Sequence, residues 1–335
     1  MLLEVSKLNI HFKSDRSPEP IHAVRDLSFI LKQGEMLGVV GESGSGKSIT
    51  NMALMGLLPD TAIVKAEKAN FNGHNLLNLK EKEWQKFRGQ EIAMIFQDPM
   101  TALNPFLSVQ FQMVETIQAH LKLSKKDAID KSIELLNLVG IPSPKDRLKS
   151  YPFELSGGMA QRVMIAMAIS TNPKLLIADE PTTALDVTIQ KQILNLIKML
   201  QEKNNMSVIL VTHDLGVVSE YSERLQVMYA GEIVETGATS DLVRHPRHPY
   251  THALLASRPG AVVDDKKRIP KTPLPSISGI VPAFHQRPLG CQFNPRCQYM
   301  THECQQGHIA IVGEGPQNNN FREYRCIHPI EEAIR

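Results

Sequence analysis

Residues 35–58 read EMLGVVGESGSGKSITNMALMGLL, and the eight residues in the middle, Gly41–Ser48, fit the pattern G-x-x-x-x-G-K-[ST]. A short apolar strand, EMLGVVG, runs into this loop, and a helix-compatible stretch, ITNMALMGLL, leaves it. That is the context in which the pattern has a mechanism. Glycines let successive backbone N–H groups turn inward around phosphate oxygens, and the following helix start adds the positive end of its dipole. Lys47 is placed to reach terminal phosphates, and the Ser48 hydroxyl is placed to ligate Mg²⁺. A glycine turn that matches by accident would lack the strand before it and the helix after it.

A phosphate loop needs a second half, which KLLIADE, ending at Glu180, supplies. Its apolar residues read as a buried strand, with Asp179 emerging to hold the Mg²⁺ shell and Glu180 following to orient or deprotonate a water. Just upstream, LSGGMAQ (Leu155, Ser156, Gly157, Gly158 through Gln161) puts two glycines at the start of the apolar helical stretch MAQRVMIAMAIS. This is a second anion-binding helix start. One nucleotide cannot easily use both cradles of one chain, so the simplest arrangement pairs two chains head to tail.

Strand and helix patterns alternate along most of the chain, including SVILVTHD, a helix from Leu215 and the strands of RLQVMYAGEIVETG. Such alternation implies an α/β fold with a mainly parallel sheet. LEVSKLNIHF and AVRDLSFILKQGE read as strands of an antiparallel β subdomain, and the spacing from about Phe106 to Gly140 is helical. The expected organisation is an ATPase-sized α/β domain over residues 1–257, with a helical insertion at about 98–160, and an extension over 258–335. The extension begins with a proline-punctuated linker (Pro270, Pro273, Pro275, Pro282, Pro288).

The 335 residues carry a formal charge of +2, which argues against a strongly electrostatic partner such as nucleic acid. No apolar run reaches the ~18 residues that a membrane-spanning helix needs. The alternating start MLLEVSKLNIHF has no signal-peptide core, so a cytosolic, thiol-reducing location is expected.

Taken together, the motifs resemble those of ABC transporter ATP-binding subunits over roughly residues 1–257. GESGSGKS looks like that family's Walker A, LSGGMAQ its signature, and LLIADE its Walker B with Glu180 as the catalytic carboxylate. Gln97 in FQDP matches the Q-loop; Ala184, Leu185 and Asp186 match the D-loop; His213 in VTHD matches the switch histidine. The resemblance implies nucleotide binding by Phe12 (stacked on adenine), Gly41, Ser43, Gly44, Ser45, Gly46, Lys47, Ser48, Ile49, Gln97, Asp179, Glu180 and His213. Catalysis would fall to Glu180, His213 and Gln97, and Mg²⁺ ligation to Ser48 and Gln97. Leu155, Ser156, Gly157, Gly158 and Gln161 would close on the ATP of a partner. A soluble ABC ATPase acting on ribosomes or DNA is a poorer match, because there is neither a second nucleotide unit nor a basic run.

The four cysteines, Cys291, Cys297, Cys304 and Cys326, all lie in the last 45 residues. Disulfides are disfavoured in the expected compartment. Four inert buried thiols are a second reading, and a four-thiolate metal site is the one preferred, although C-x5-C-x6-C-x21-C lacks the paired knuckles of structural zinc and is not a ferredoxin run. By spacing alone, zinc and an iron–sulfur cluster stay equally open. RHPRHPYTHALL and GCQFNPRC resemble the C-terminal extension of the dipeptide and oligopeptide importer branch, which implies a [4Fe-4S] cluster on the four cysteines, with Zn²⁺ as the alternative. A short polar tail is expected to bury little apolar area, so that a metal would staple it. His245, His248 and His252 are read as a helix start rather than a metal set. The branch further implies a homologous second ATPase subunit, two transmembrane permease subunits, an extracytoplasmic peptide-binding protein and a peripheral position on the cytoplasmic membrane face.

Overall fold

The computed structural model describes residues 1–14, 17–182, 185–257, 276–317 and 320–331. In chain order its strands are β1 (Leu3–Ser14), β2 (Ser17–Leu31), β3 (Met36–Val40), β4 (Ala62–Lys65), β5 (Lys68–Phe71), β6 (His74–Asn75), β7 (Ile92–Ile95), β8 (Leu175–Asp179), β9 (Ser207–Thr212), β10 (Arg224–Tyr229), β11 (Glu232–Ala238), β12 (Val312–Gln317) and β13 (Asn320–Tyr324). The chain divides into two compact units. One holds Met1–Leu31, Met36–Leu77 and Thr212–Arg335, the other Lys32–Glu35 and Asn78–Val211.

In the first unit, β1 pairs antiparallel with β2, β4 and β5, and β6 extends β5. The buried positions of β1 are Leu3, Val5, Leu8 and Ile10, so the strict alternation of a pleated strand slips by one between Val5 and Leu8. The slip is a register shift in the β1–β2 ladder, with Lys7 at φ +47°. Such a bulge restores the apolar face after the extra residue. A second sheet of this unit runs β12-β13-β11-β10-β3. Here β3 and β10 are parallel and the other neighbours antiparallel. Every residue of β3 is buried, as an apolar run without alternation requires.

The second unit carries the parallel set β7-β8-β9, with Ile95 opposite Ala178 and Asp179 opposite Val211. Its helices follow from pattern. In Val187–Asn204, Ile193, Leu194, Ile197 and Leu200 make one buried stripe, and Asn205 at φ +51° ends the helix. Gly157–Ile169 is apolar nearly all round and mostly buried. The stretch read as helical from Phe106 to Gly140 is two helices, Val109–His120 and Lys125–Leu138. Ser124 breaks it, its hydroxyl accepting from the Asp127 N–H at 3.2 Å.

The tail departs from expectation. It buries Phe293, Ile309 and Tyr324. Phe293 packs edge-on against Tyr229, with ring centroids 5.2 Å apart, and tilted against Tyr250 at 5.3 Å. Strand β13 pairs with β11, and Arg322 bonds the fully buried Glu235 of that strand. Arg325 reaches the carbonyls of Ile233 and Ile309. A short polar segment thus acquires a core by borrowing one: its few apolar side chains complete a cluster that β10, β11 and the helix Pro249–Ala256 have already built. The linker expected around Pro270 and Pro273 lies outside the described residues.

Candidate functional site

The phosphate loop is shaped by close approach. A Cβ on Gly41 would stand 2.2 Å from the Met228 carbonyl oxygen, so only glycine lets the loop leave β3 past β10. Gly46 opens the helix Lys47–Leu54 at φ +97°, with no side chain capping it. Gly46 thus brings no side chain of its own to the first-turn N–H groups, which lets an anion approach them. Lys47 is buried, and its Nζ donates to the Gly41 carbonyl at 2.7 Å, the Glu42 carbonyl at 3.0 Å and Ser45 Oγ at 3.2 Å. Ser45 is fully buried and its carbonyl accepts from the Gly231 N–H; Ser43 and Gly44 are exposed, Ser48 and Ile49 half-buried. A buried cation beside a glycine-opened helix start is a pair of groups of the kind that bind phosphate.

In the second unit, β8 delivers Asp179, which is 3% exposed, at its C-terminal end. Glu180 follows in the left-handed region at φ +49°, its N–H donating to the Val211 carbonyl at 2.9 Å. For a non-glycine residue that backbone costs about 1–3 kcal/mol, and such strain gathers at functional sites. It turns the carboxylate so that Glu180 Oε2 accepts from Gln97 Nε2 at 3.0 Å. The structure thus joins two residues 83 positions apart.

Ser156 is the N-cap of Gly157–Ile169, its Oγ accepting from the Met159 N–H at 3.3 Å. Leu155 is buried, and a Cβ on Gly157 would meet open space. A Cβ on Gly158 would lie 3.2 Å from Leu185 Cδ2. Gln161 is buried and donates to the Pro181 carbonyl at 2.8 Å, tying this helix to the residue after Glu180. Asp186 caps Val187–Asn204 through the Ile189 N–H at 3.0 Å. Ala184 lies outside the described residues. His213 is exposed, one residue before Asp214 caps Leu215–Tyr221. Phe12 is half-buried on β1, opposite Ile21 and Ala62.

Sequence analysis assigned nothing to Tyr250, yet its hydroxyl accepts the backbone N–H of Glu42, inside the phosphate loop, from 208 positions away. Burial pushes its phenol far up, keeping the hydroxyl neutral. No local pattern announces such a contact. His248 is fully buried and caps Pro249–Ala256, its Nδ1 accepting from the Tyr250 N–H at 3.0 Å, as a helix start requires.

The metal site expected in the tail is not borne out. Among the described residues no group of three or more His, Cys, Asp or Glu side chains could hold a metal ion. This corrects the assignment of an iron–sulfur cluster, or of zinc, to Cys291, Cys297, Cys304 and Cys326. All four border one cavity of about 20 Å³, room for roughly one water. Burial pushes the Cys291 thiol up to about 12 and the Cys326 thiol up to about 11, and raises Cys297 as well. Cys291 and Cys297 instead pack as small apolar groups against the cluster of Tyr229, Tyr250 and Phe293.

With this geometry in view, comparison with known proteins is informative. Residues 24–183 match the profile of the ABC transporter family, and residues 234–304 that of the oligopeptide/dipeptide transporter C-terminal region. The chain is 49% identical to the dipeptide transport ATP-binding protein DppD of Escherichia coli over 336 aligned positions, covering 100% of this chain and 98% of the relative. It is 50% identical to the oligopeptide transport ATP-binding protein OppD of Bacillus subtilis, over 89% of this chain and 82% of that one. Among solved structures, a dimeric ATP-binding cassette in a post-hydrolysis state with ADP and phosphate superposes with a TM-score of 0.64. That likeness has 27% identity and covers 71% of this chain and 99% of the other.

Proposed function

The chain belongs to the ABC transporter family, and from that premise we propose that it is the ATP-hydrolysing subunit of a binding-protein-dependent importer of dipeptides. The fold is that of a P-loop ATPase, with helices and mixed sheets. The observation that carries the cargo is the likeness over the whole chain to a dipeptide transport ATP-binding protein, together with the matching C-terminal region.

The residues divide the work by chemistry. The loop Gly41–Ser48 binds the nucleotide's phosphates, Lys47 turning its Nζ from loop carbonyls to phosphate oxygens. The Ser48 hydroxyl and the Gln97 amide oxygen are hard ligands suited to Mg²⁺, which neutralises phosphate charge when bound. Glu180 acts on the attacking water as base or orienting group, held in place by Gln97, and His213 contacts the γ-phosphate. Phe12 stacks on the adenine. The helix start Ser156-Gly157-Gly158 faces the nucleotide of a homologous partner subunit, with Leu185 and Asp186 beside it. ATP binding closes the pair and hydrolysis reopens it. The helical insertion, about 98–160, passes this change to two permease subunits, which a peptide-binding protein serves from outside. No described helix is long and apolar enough to cross a membrane, which suits a subunit held at the membrane by partners.

The test is uptake of labelled dipeptides and of longer peptides by cells lacking this chain, with and without its restoration. Restored dipeptide uptake supports the reading. Restoration of longer peptides alone moves the cargo to oligopeptides, as the likeness to OppD allows.

A further inference from the structure

One residue of the phosphate loop is held by the tail. Glu42 has every polar group engaged: its N–H on Tyr250 Oη at 2.9 Å, its carbonyl on Lys47 Nζ at 3.0 Å, and both carboxylate oxygens on Arg296. Arg296 Nη1 bonds Oε2 at 2.5 Å and Nη2 bonds Oε1 at 3.0 Å, a two-pronged pair whose arginine side chain is 5% exposed. The rest of the guanidinium is equally occupied. Nε donates to the Ser278 carbonyl at 2.8 Å, Nη1 also to Tyr229 Oη at 3.3 Å, and Nη2 also to the Ile277 carbonyl at 3.3 Å. Five donors in a rigid fork all have acceptors, which a lysine could not reproduce.

The position of this pair gives it a consequence. Lys47 must leave the carbonyls of Gly41 and Glu42 to reach phosphate, whereas Arg296 and Tyr250 hold Glu42 through its carboxylate and N–H, groups that Lys47 does not use. A lone carboxylate at the second residue of the loop would also repel an incoming triphosphate, and Arg296 cancels that charge. We infer that Arg296, carried by the C-terminal extension, is a positioning residue of the phosphate loop, neutralising and orienting Glu42 so that the tail sets the affinity for ATP. The inference rests on the proposed ATP binding at Gly41–Ser48.

The experiment titrates a fluorescent ATP analogue into the full-length chain, with Lys47→Ala as control, and follows ATPase turnover and thermal melting in parallel. Arg296→Met is expected to weaken binding about tenfold while maximal turnover at saturating ATP stays within about twofold, since the loop, not the chemistry, is disturbed. Arg296→Lys should fall between, keeping the charge and losing the fork. Adding Glu42→Gln to Arg296→Met should recover much of the loss, because the bare carboxylate is gone. A purely structural salt bridge would lower the melting temperature and leave the affinity of the folded protein alone. Binding by Arg296→Met within twofold of wild type overturns the inference, as does a double variant no better than Arg296→Met. Should Arg296→Met fail to fold, Arg296→Lys decides: about threefold weakening supports the inference, none overturns it. Undiminished binding by Lys47→Ala would instead remove ATP from the loop itself.

Discussion

Two helices of this chain begin at glycine-marked turns, and they begin differently. At Lys47–Leu54 the cap residue is Gly46, which offers no side chain, and a lysine follows at once. At Gly157–Ile169 the cap is Ser156, whose hydroxyl already takes the Met159 N–H. The first start has no cap side chain, as an anion-binding start requires. In the second, one first-turn N–H is taken within the chain, and open space remains beside Gly157. The difference suits one start to gripping a nucleotide on its own and the other to closing over one brought by a partner.

The comparison can be attacked at several points. The largest expected effect is on chemistry rather than binding: Glu180→Gln should bind ATP as before and lose about a thousandfold in turnover. Near-normal phosphate release by that variant would take Glu180 out of its role. Next is Lys47→Ala, expected to weaken nucleotide binding about a hundredfold by removing the only side-chain cation of the phosphate loop. Equal binding would mean that the uncapped start is not the receptor.

A third helix start, His248–Pro249, adds a cap that titrates. Burial lowers the folded pKa of His248 to about 3 from an ordinary value of 6.5. Between those values the unfolded chain binds the extra proton. Stability is therefore intact above about pH 6.5 and falls, by up to about 1.4 kcal/mol per pH unit, as the pH drops toward 3. Protonation also ends Nδ1's ability to accept from the Tyr250 N–H. His248→Gln should flatten this slope between pH 6.5 and 5 in denaturant melts, and an unchanged slope would place the titration elsewhere. The smallest effect is Ser156→Ala. The lost cap should cost about 1 kcal/mol of stability in an isolated subunit. A paired complex should lose turnover as well, and equal turnover would leave Ser156 as a cap alone.

The parts of the candidate site that the sequence picked out are local ones. A strand, a glycine loop and a helix start are made by contiguous residues, so Gly41–Ser48, Asp179–Glu180 and Leu155–Gln161 could be read from spacing. The four cysteines show the limit of the same habit. Their clustering read as a ligand set, but among the described residues no group of three or more such side chains could hold a metal ion, and the four line a cavity large enough for about one water. The distances between the thiols and the room among them depend on what packs around them, and spacing along the chain holds neither. The helical spacing from about Phe106 to Gly140 did not reveal the break at Ser124, whose hydroxyl caps Lys125–Leu138.

The sequence by itself determined the α/β class, the phosphate loop and the order of the motifs, since each is built from backbone preferences and periodicities within a few residues. Tertiary structure alone decided that Gln97 holds Glu180, that Tyr250 and Arg296 hold Glu42, and that the tail shares a core with β10 and β11. Those contacts join residues tens to hundreds of positions apart. They exist only once folding has removed their competitors, water above all, from around the groups that meet.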